Sequence, residues 1–217
     1  MAFEVLDEHE QGEVVRKWLR ANVLSIAIGI GIGLAMIFGW QQWKAREQRS
    51  QAEAALQYEA FAKAVQEDRT EDAATIGAAL RKDHAKSAYA VFTALRQAEV
   101  AVGKGDLKAA ETDLAWASDV ASAPALKSII ALRRARVAFA DGNAQAALDF
   151  TDSVAKADFT AITSELRGDA LAKLGRHADA RSAYEQALGA LEAQAPGRDV
   201  VQMKLIDLPA ATEKQNS

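Results

Sequence analysis

Residues 163–191 read TSELRGDALAKLGRHADARSAYEQALGAL, and the order of small and large side chains along them carries an architecture. Gly168, Leu171, Gly175, Ala180, Tyr184 and Ala187 follow as small, large, turn, small, large and small, with apolar residues at helical spacing on either side of Leu174-Gly175-Arg176. Moving outward, the pattern small-x6-Gly-x4-Ala occurs three times: Ala98, Gly105, Ala110; Ala135, Gly142, Ala147; Gly168, Gly175, Ala180. The copies are offset by 37 and 33 residues, the length of one helix-turn-helix unit. Each middle glycine sits in turn-like surroundings, Lys104-Gly105-Asp106 and Asp141-Gly142-Asn143 being the other two. A glycine between antiparallel helices can take the left-handed cap conformation without a Cβ penalty, and small flanking residues let the two helices touch. Leu107, Leu114, Trp116, Val137, Leu148, Phe150, Leu171, Leu174, Tyr184 and Leu188 are then expected to fill the layers between hairpins.

The stretch 163–191 closely resembles a tetratricopeptide repeat. The segments around 91–121 and 128–157 match that pattern more weakly, and 50–83 is assigned as a helical hairpin on length alone. Hairpins are therefore expected near 50–83, 91–121, 128–157 and 161–194, in an all-α fold. Pro196 and Gly197 stop the last repeat helix, and Val201, Leu205 and Leu208 at i, i+4, i+7 suggest a terminal capping helix over 198–208. The tail 209–217 reads as disordered. No breaker interrupts Arg46 to Val65, so the preceding helix is expected to run on into the first hairpin, with Ala52, Leu56, Phe61 and Val65 facing the repeats.

Residues 21–43, ANVLSIAIGIGIGLAMIFGWQQW, carry no charge. As a helix, 21–40 reaches about 30 Å, the hydrocarbon thickness of a bilayer. Val23, Leu24, Ile26, Ile28, Ile30, Ile32, Leu34, Ile37 and Phe38 together favour insertion by roughly 3 to 5 kcal/mol. A cleaved signal peptide has a shorter apolar core of about 7 to 15 residues behind a basic lead, whereas twenty mixed residues precede this one. A core helix of a soluble fold would show a polar stripe. The span is therefore read as an uncleaved anchor, closed by Trp40, Trp43 and Lys44 at the headgroup layer. Arg16, Lys17 and Arg20 before it balance Lys44, Arg46 and Arg49 after it, so charge leaves its direction open. Ser25, Gly29 and Gly33 place small residues every four positions, a face that a partner helix can approach closely, although glycine is common in membrane helices generally. A phosphate loop is a poor reading of these glycines, because no strand precedes them.

Net charge is −4 and divides evenly, residues 1–20 carrying five acids against three bases and the rest of the chain 25 against 23. Near-neutral mixed charge in the long domain argues against a nucleic-acid groove or a polybasic lipid patch. No cysteine is present, so there is no disulfide framework and no thiol nucleophile. His9, His84 and His177 have no partners at metal-ligand spacing, Glu71-Asp72 reads as a solvated helix start, and no hydrolase elbow or phosphate loop appears. Neither an enzyme, a metal site nor a cofactor site is expected.

Taken together, Gly39-Trp40 with Trp43, LRRARVAFADGNAQAAL over 132–148, ELRGDAL over 165–171 and QMKLIDL over 202–208 resemble the YfgM family of ancillary SecYEG translocon subunits. The resemblance covers nearly the whole chain, and is weaker over 66–90 and after Leu208. It implies a bacterial inner-membrane protein with residues 1–20 cytoplasmic and 44–208 periplasmic. It further implies attachment to the SecYEG translocon and cooperation with a membrane-anchored, parvulin-like periplasmic chaperone on newly secreted polypeptides. A scaffold of this kind offers polar contacts on the first helix of each pair, which points to Arg133, Arg136, Arg167 and Asp169, whose plain alternative is a solvated helix face. A helical-repeat coordinator of cell-wall or division machinery would carry the same anchor and hairpins, and an enzyme with an unrecognised site stays open beside it.

Overall fold

The computed structural model describes residues 8–155 and 159–209; the expected disordered tail falls, from residue 210, outside the described residues. Among the described residues the chain forms nine α-helices and no strand. They are α1 (Glu8–Gln66), α2 (Thr70–Asp83), α3 (Ala88–Gly103), α4 (Leu107–Val120), α5 (Pro124–Ala140), α6 (Ala144–Asp152), α7 (Thr160–Lys173), α8 (His177–Ala190) and α9 (Arg198–Ile206). Two compact units divide the chain, Met1–Glu53 and Ala54–Ser217.

In the first unit α1 holds an 18-residue window of mean hydropathy 2.2 with none of it buried, a helix long and apolar enough to cross a membrane. Trp40 and Trp43 pack against each other with ring centroids 5.2 Å apart and planes tilted by 47°. A Cβ added at Gly29 or Gly33 would meet nothing within 4 Å.

In the second unit consecutive helices pair as hairpins, and the turns explain why. Gly105, Gly142 and Gly175 stand at φ 77°, 84° and 75°. Each donates its N–H to the carbonyl three residues back (Val102, Phe139, Ala172), and the next residue donates to the carbonyl five back (Ala101, Ala138, Leu171). This paired closure satisfies orphan carbonyls of the helix end and requires a left-handed residue at its centre. Asp106 and Asn143 then cap the following helix, accepting from the N–H of Ala109 at 2.9 Å and of Ala146 at 3.0 Å. One three-residue turn thus ends one helix and starts the next. The same closure joins α1 to α2 with an aspartate in the glycine's place: Asp68 has φ 55°, its N–H meets the Val65 carbonyl, and Arg69 N–H meets that of Ala64.

The small residues of the repeated pattern are where the helices touch. Ala98, Ala110, Ala135, Ala147, Gly168 and Ala180 are all buried. At Gly168 a Cβ would overlap the Tyr184 ring, so the side chain that fills the α7–α8 layer excludes every residue but glycine opposite it. Leu114, Ile130 and Val137 centre one core cluster across α3, α4 and α5, and Leu148, Leu171, Tyr184 and Val201 another across α6 to α9. Leu107, Trp116, Phe150 and Leu188 line the edges of the clusters, half-buried. Between hairpins, Arg81 pairs with Asp113 while lying 4.4 Å over the Trp116 ring, and Arg134 pairs with Glu111 while lying 4.2 Å over Phe150.

Two packing expectations are corrected. Leu174, expected in a layer, is 37% exposed, because it is the last residue before the Gly175 turn and its side chain leaves the stack there. On α1 the inward residues are Ala54, Phe61 and Ala64, with Tyr58 and Val65 partly buried, whereas Leu56 is 68% exposed and Ala52 is exposed too. Aromatic area sets this register: Tyr58 packs on Phe61, Tyr89 and Phe92 with centroids 6.1, 5.8 and 6.2 Å away, and two rings bury more surface than one leucine.

Candidate partner-binding cleft

Helix α5 starts at Pro124, whose fixed φ suits the first helical position, and buries Ile130, Leu132, Ala135 and Val137. Its three arginines are left at the helix flanks. Arg134 turns towards α4 and α6, to Glu111 and Phe150. Arg133 and Arg136, three residues apart and so neighbours on the helix surface, turn the other way. They border a cleft of about 450 Å3 whose walls are Ala98 and Val102 of α3, Leu107 and Leu114 of α4, and Val137 and Ala140 of α5. Arg133 Nη1 reaches the Leu95 carbonyl at 3.5 Å, a long bond that steers the side chain without neutralising it. Glu99 is the carboxylate in the lining, and it is held by Arg96 at 2.9 Å. Among the described residues no carboxylate pairs with Arg133 or Arg136.

Arg167 and Asp169 lie elsewhere and are engaged. Arg167 pairs with Asp152, tying α7 to α6. Asp169 accepts from Tyr184 Oη at 2.8 Å and from Lys204 Nζ at 2.8 Å, and Lys204 also donates to Glu165 at 2.7 Å, so this network locks α8 and α9 onto α7. Burial, and then the bond to Asp169, hold the Tyr184 phenol well above its ordinary range. Burial works to lower the Lys204 ammonium, but its bonds to Asp169 and Glu165 outweigh that and raise it. His177, at the start of α8, is half-buried and its Nδ1 has no partner among the described residues. The described residues contain no group of three His, Asp or Glu side chains placed to hold a metal ion.

In α1, Ser25, Gly29 and Gly33 fall on one line of the helix, and Trp40, Trp43 and Lys44 are exposed at its far end. Trp18, exposed beside Arg16, Lys17 and Arg20, was not singled out by sequence reasoning. Trp40 stands twenty-two positions further on, about 33 Å of helix, so the span has an indole at each end. Its signal was available: a tryptophan within a basic flank.

One helix able to cross a membrane and a stack of helical hairpins with an open cleft define a tetratricopeptide repeat-like protein with an apolar N-terminal helix, and the family model described as a tetratricopeptide repeat-like domain matches residues 16–210. The chain is 32% identical over 187 residues to the ancillary SecYEG translocon subunit of Haemophilus influenzae, covering 86% of this chain and 91% of that one. It is 32% identical over 180 residues to the protein of the same name in Escherichia coli, with 82% and 86% covered, and 29% identical over 211 residues to that of Aggregatibacter actinomycetemcomitans, with 96% and 100% covered. No solved structure matches it. The chain belongs to the tetratricopeptide repeat-like family of ancillary SecYEG translocon subunits.

Proposed function

We propose that the protein is a non-enzymatic scaffold, anchored in the bacterial inner membrane by 21–43, that binds partner proteins or emerging secreted chains at the SecYEG translocon and assists their hand-over to a membrane-anchored, parvulin-like periplasmic chaperone. Residues 1–20 then lie in the cytoplasm and the repeat domain in the periplasm. The observation that carries this reading is the cleft itself: apolar walls beside two unpaired guanidinium groups on a helical-repeat domain. The relatives' names point to the channel as the place of work. An anchor confines the cleft to a thin layer at the membrane, which raises effective concentration so that weak contacts suffice for capture. The small-residue line through Ser25, Gly29 and Gly33 suits the approach of a partner helix within the bilayer.

A photocrosslinker placed at Arg136 or at Gly29 in native membranes, followed by mass spectrometry, tests the reading. Adducts with translocon subunits, the chaperone or secreted chains are expected. Adducts confined to division or outer-membrane factors overturn it.

A further inference from the structure

We infer that the cleft between α3 and α5 takes an extended polypeptide segment in which an acidic side chain lies next to a large apolar one, a specificity that rests on the partner-binding reading above. The charge distribution carries it. In this domain Arg69, Arg81, Arg96, Arg134, Arg167 and Arg176 each hold a carboxylate of the chain itself. Arg181 and Arg198 donate instead to the backbone carbonyls of Pro209, Leu188 and Leu191. Arg133 and Arg136 are the two arginines without a carboxylate that stand side by side, at the rim of one cleft.

Two guanidinium groups on the same helix line repel one another, and a carboxylate arriving between them removes the repulsion while accepting charge-assisted, often bidentate, hydrogen bonds. Glu99, in the same lining, does not fill this role: its ion pair is with Arg96 on its own helix. Arg133 is partly pre-oriented by the Leu95 carbonyl, which takes one of its five donors and leaves the others for a ligand. The floor selects the neighbouring residue: Val102 is 45% exposed beside Leu107, Val137 and Ala140, an alkyl surface that gains from covering by an aliphatic or aromatic side chain. A lysine-bearing segment meets like charge here. Single-stranded nucleic acid has phosphates for the arginines but finds no aromatic ring in the lining on which to stack its bases.

Binding of fluorescently labelled ten-residue peptides to the full chain in detergent tests the assignment. Four peptides are compared: alternating Leu-Glu, Leu-Lys, Leu-Gln and Ser-Glu. The Leu-Glu peptide is expected to bind at least tenfold more tightly than the other three, with the margin over Leu-Lys shrinking as salt rises. The double variant Arg133→Glu, Arg136→Glu is expected to reverse the order and favour Leu-Lys, a gain that an unfolded protein would not produce. Equal affinity for Leu-Glu and Leu-Lys, no binding by any peptide, or an unchanged order in the double variant overturns the proposal. Loss of the peptide preference with translocon adducts retained would leave the scaffold reading standing without this specificity. A preserved preference without such adducts would leave the cleft chemistry standing and remove the scaffold reading.

Discussion

Gly168 and Tyr184 show how one side chain dictates another. The Tyr184 ring occupies the space a Cβ would need, and its hydroxyl is fixed by Asp169, so the ring has no route of retreat. Gly168→Ala is expected to cost about 1 to 3 kcal/mol, read from the urea midpoint, as overpacking in a filled layer. The turn residues obey a different constraint, backbone rather than packing. Gly105→Ala, at φ 77° with open space around it, is expected to cost about 1 to 2 kcal/mol through strain alone. Asp68→Gly at the equivalent turn is expected to be neutral or stabilising by up to about 1 kcal/mol, because relief of the left-handed strain works against the entropy gained by the unfolded chain. The Tyr184–Asp169–Lys204 network makes stability depend on alkaline pH. Both proton donors have folded-state pKa values above their ordinary ones, so their contribution is complete below about pH 10 and is lost as pH rises beyond it. The double variant Tyr184→Phe, Lys204→Met should therefore lose less stability than the parent between about pH 10 and 12 in urea titrations.

At the scale of elements, the inward register of α1 is set by rings that meet α3 rather than by the most apolar residue in the segment. Phe61→Ala is expected to cost about 3 to 5 kcal/mol, and Leu56→Ala within about 0.5 kcal/mol of nothing, in chemical unfolding of the full chain. A comparable cost at both positions would place the register as sequence spacing alone suggests. Two turn features make the hairpins legible without a structure: left-handed glycines and caps of Asp or Asn are short-range chemistry, visible in Gly105-Asp106 and Gly142-Asn143. The first hairpin escaped this because Asp68 stands where the others have glycine, although it precedes Gly105 by the same 37 residues that separate Gly105 from Gly142. Helix α9 is held by polar as well as apolar contacts, Val201 and Leu208 entering the core while Lys204 reaches α7.

For the whole molecule, residence in a membrane rests on a modest margin. The span gains roughly 3 to 5 kcal/mol from its large apolar residues, and one arginine at its centre costs about 2.5 to 3.5 kcal/mol. Ile30→Arg is accordingly expected to move a large share of the protein from the membrane pellet to the soluble fraction on carbonate extraction, whereas Trp18→Ala should leave it in the pellet.

Membrane span, helical class and hairpin turns were all readable in the chain because each depends on residues within one or two helical turns of one another: uncharged length, apolar period, a glycine followed by a capping side chain. The fate of the candidate polar contacts is different in kind. Arg133, Arg136, Arg167 and Asp169 look alike as polar residues on first helices, yet Asp169 is committed to Tyr184 and Lys204, fifteen and thirty-five residues away, and Arg167 to Asp152. Arg133 and Arg136 have no carboxylate paired with them among the described residues, and Glu99 in the same cleft pairs with Arg96 instead. Which charge is spent inside the fold and which is left unpaired is settled by packing across helices, since a Coulomb contact depends on distance in space and no local pattern encodes that distance.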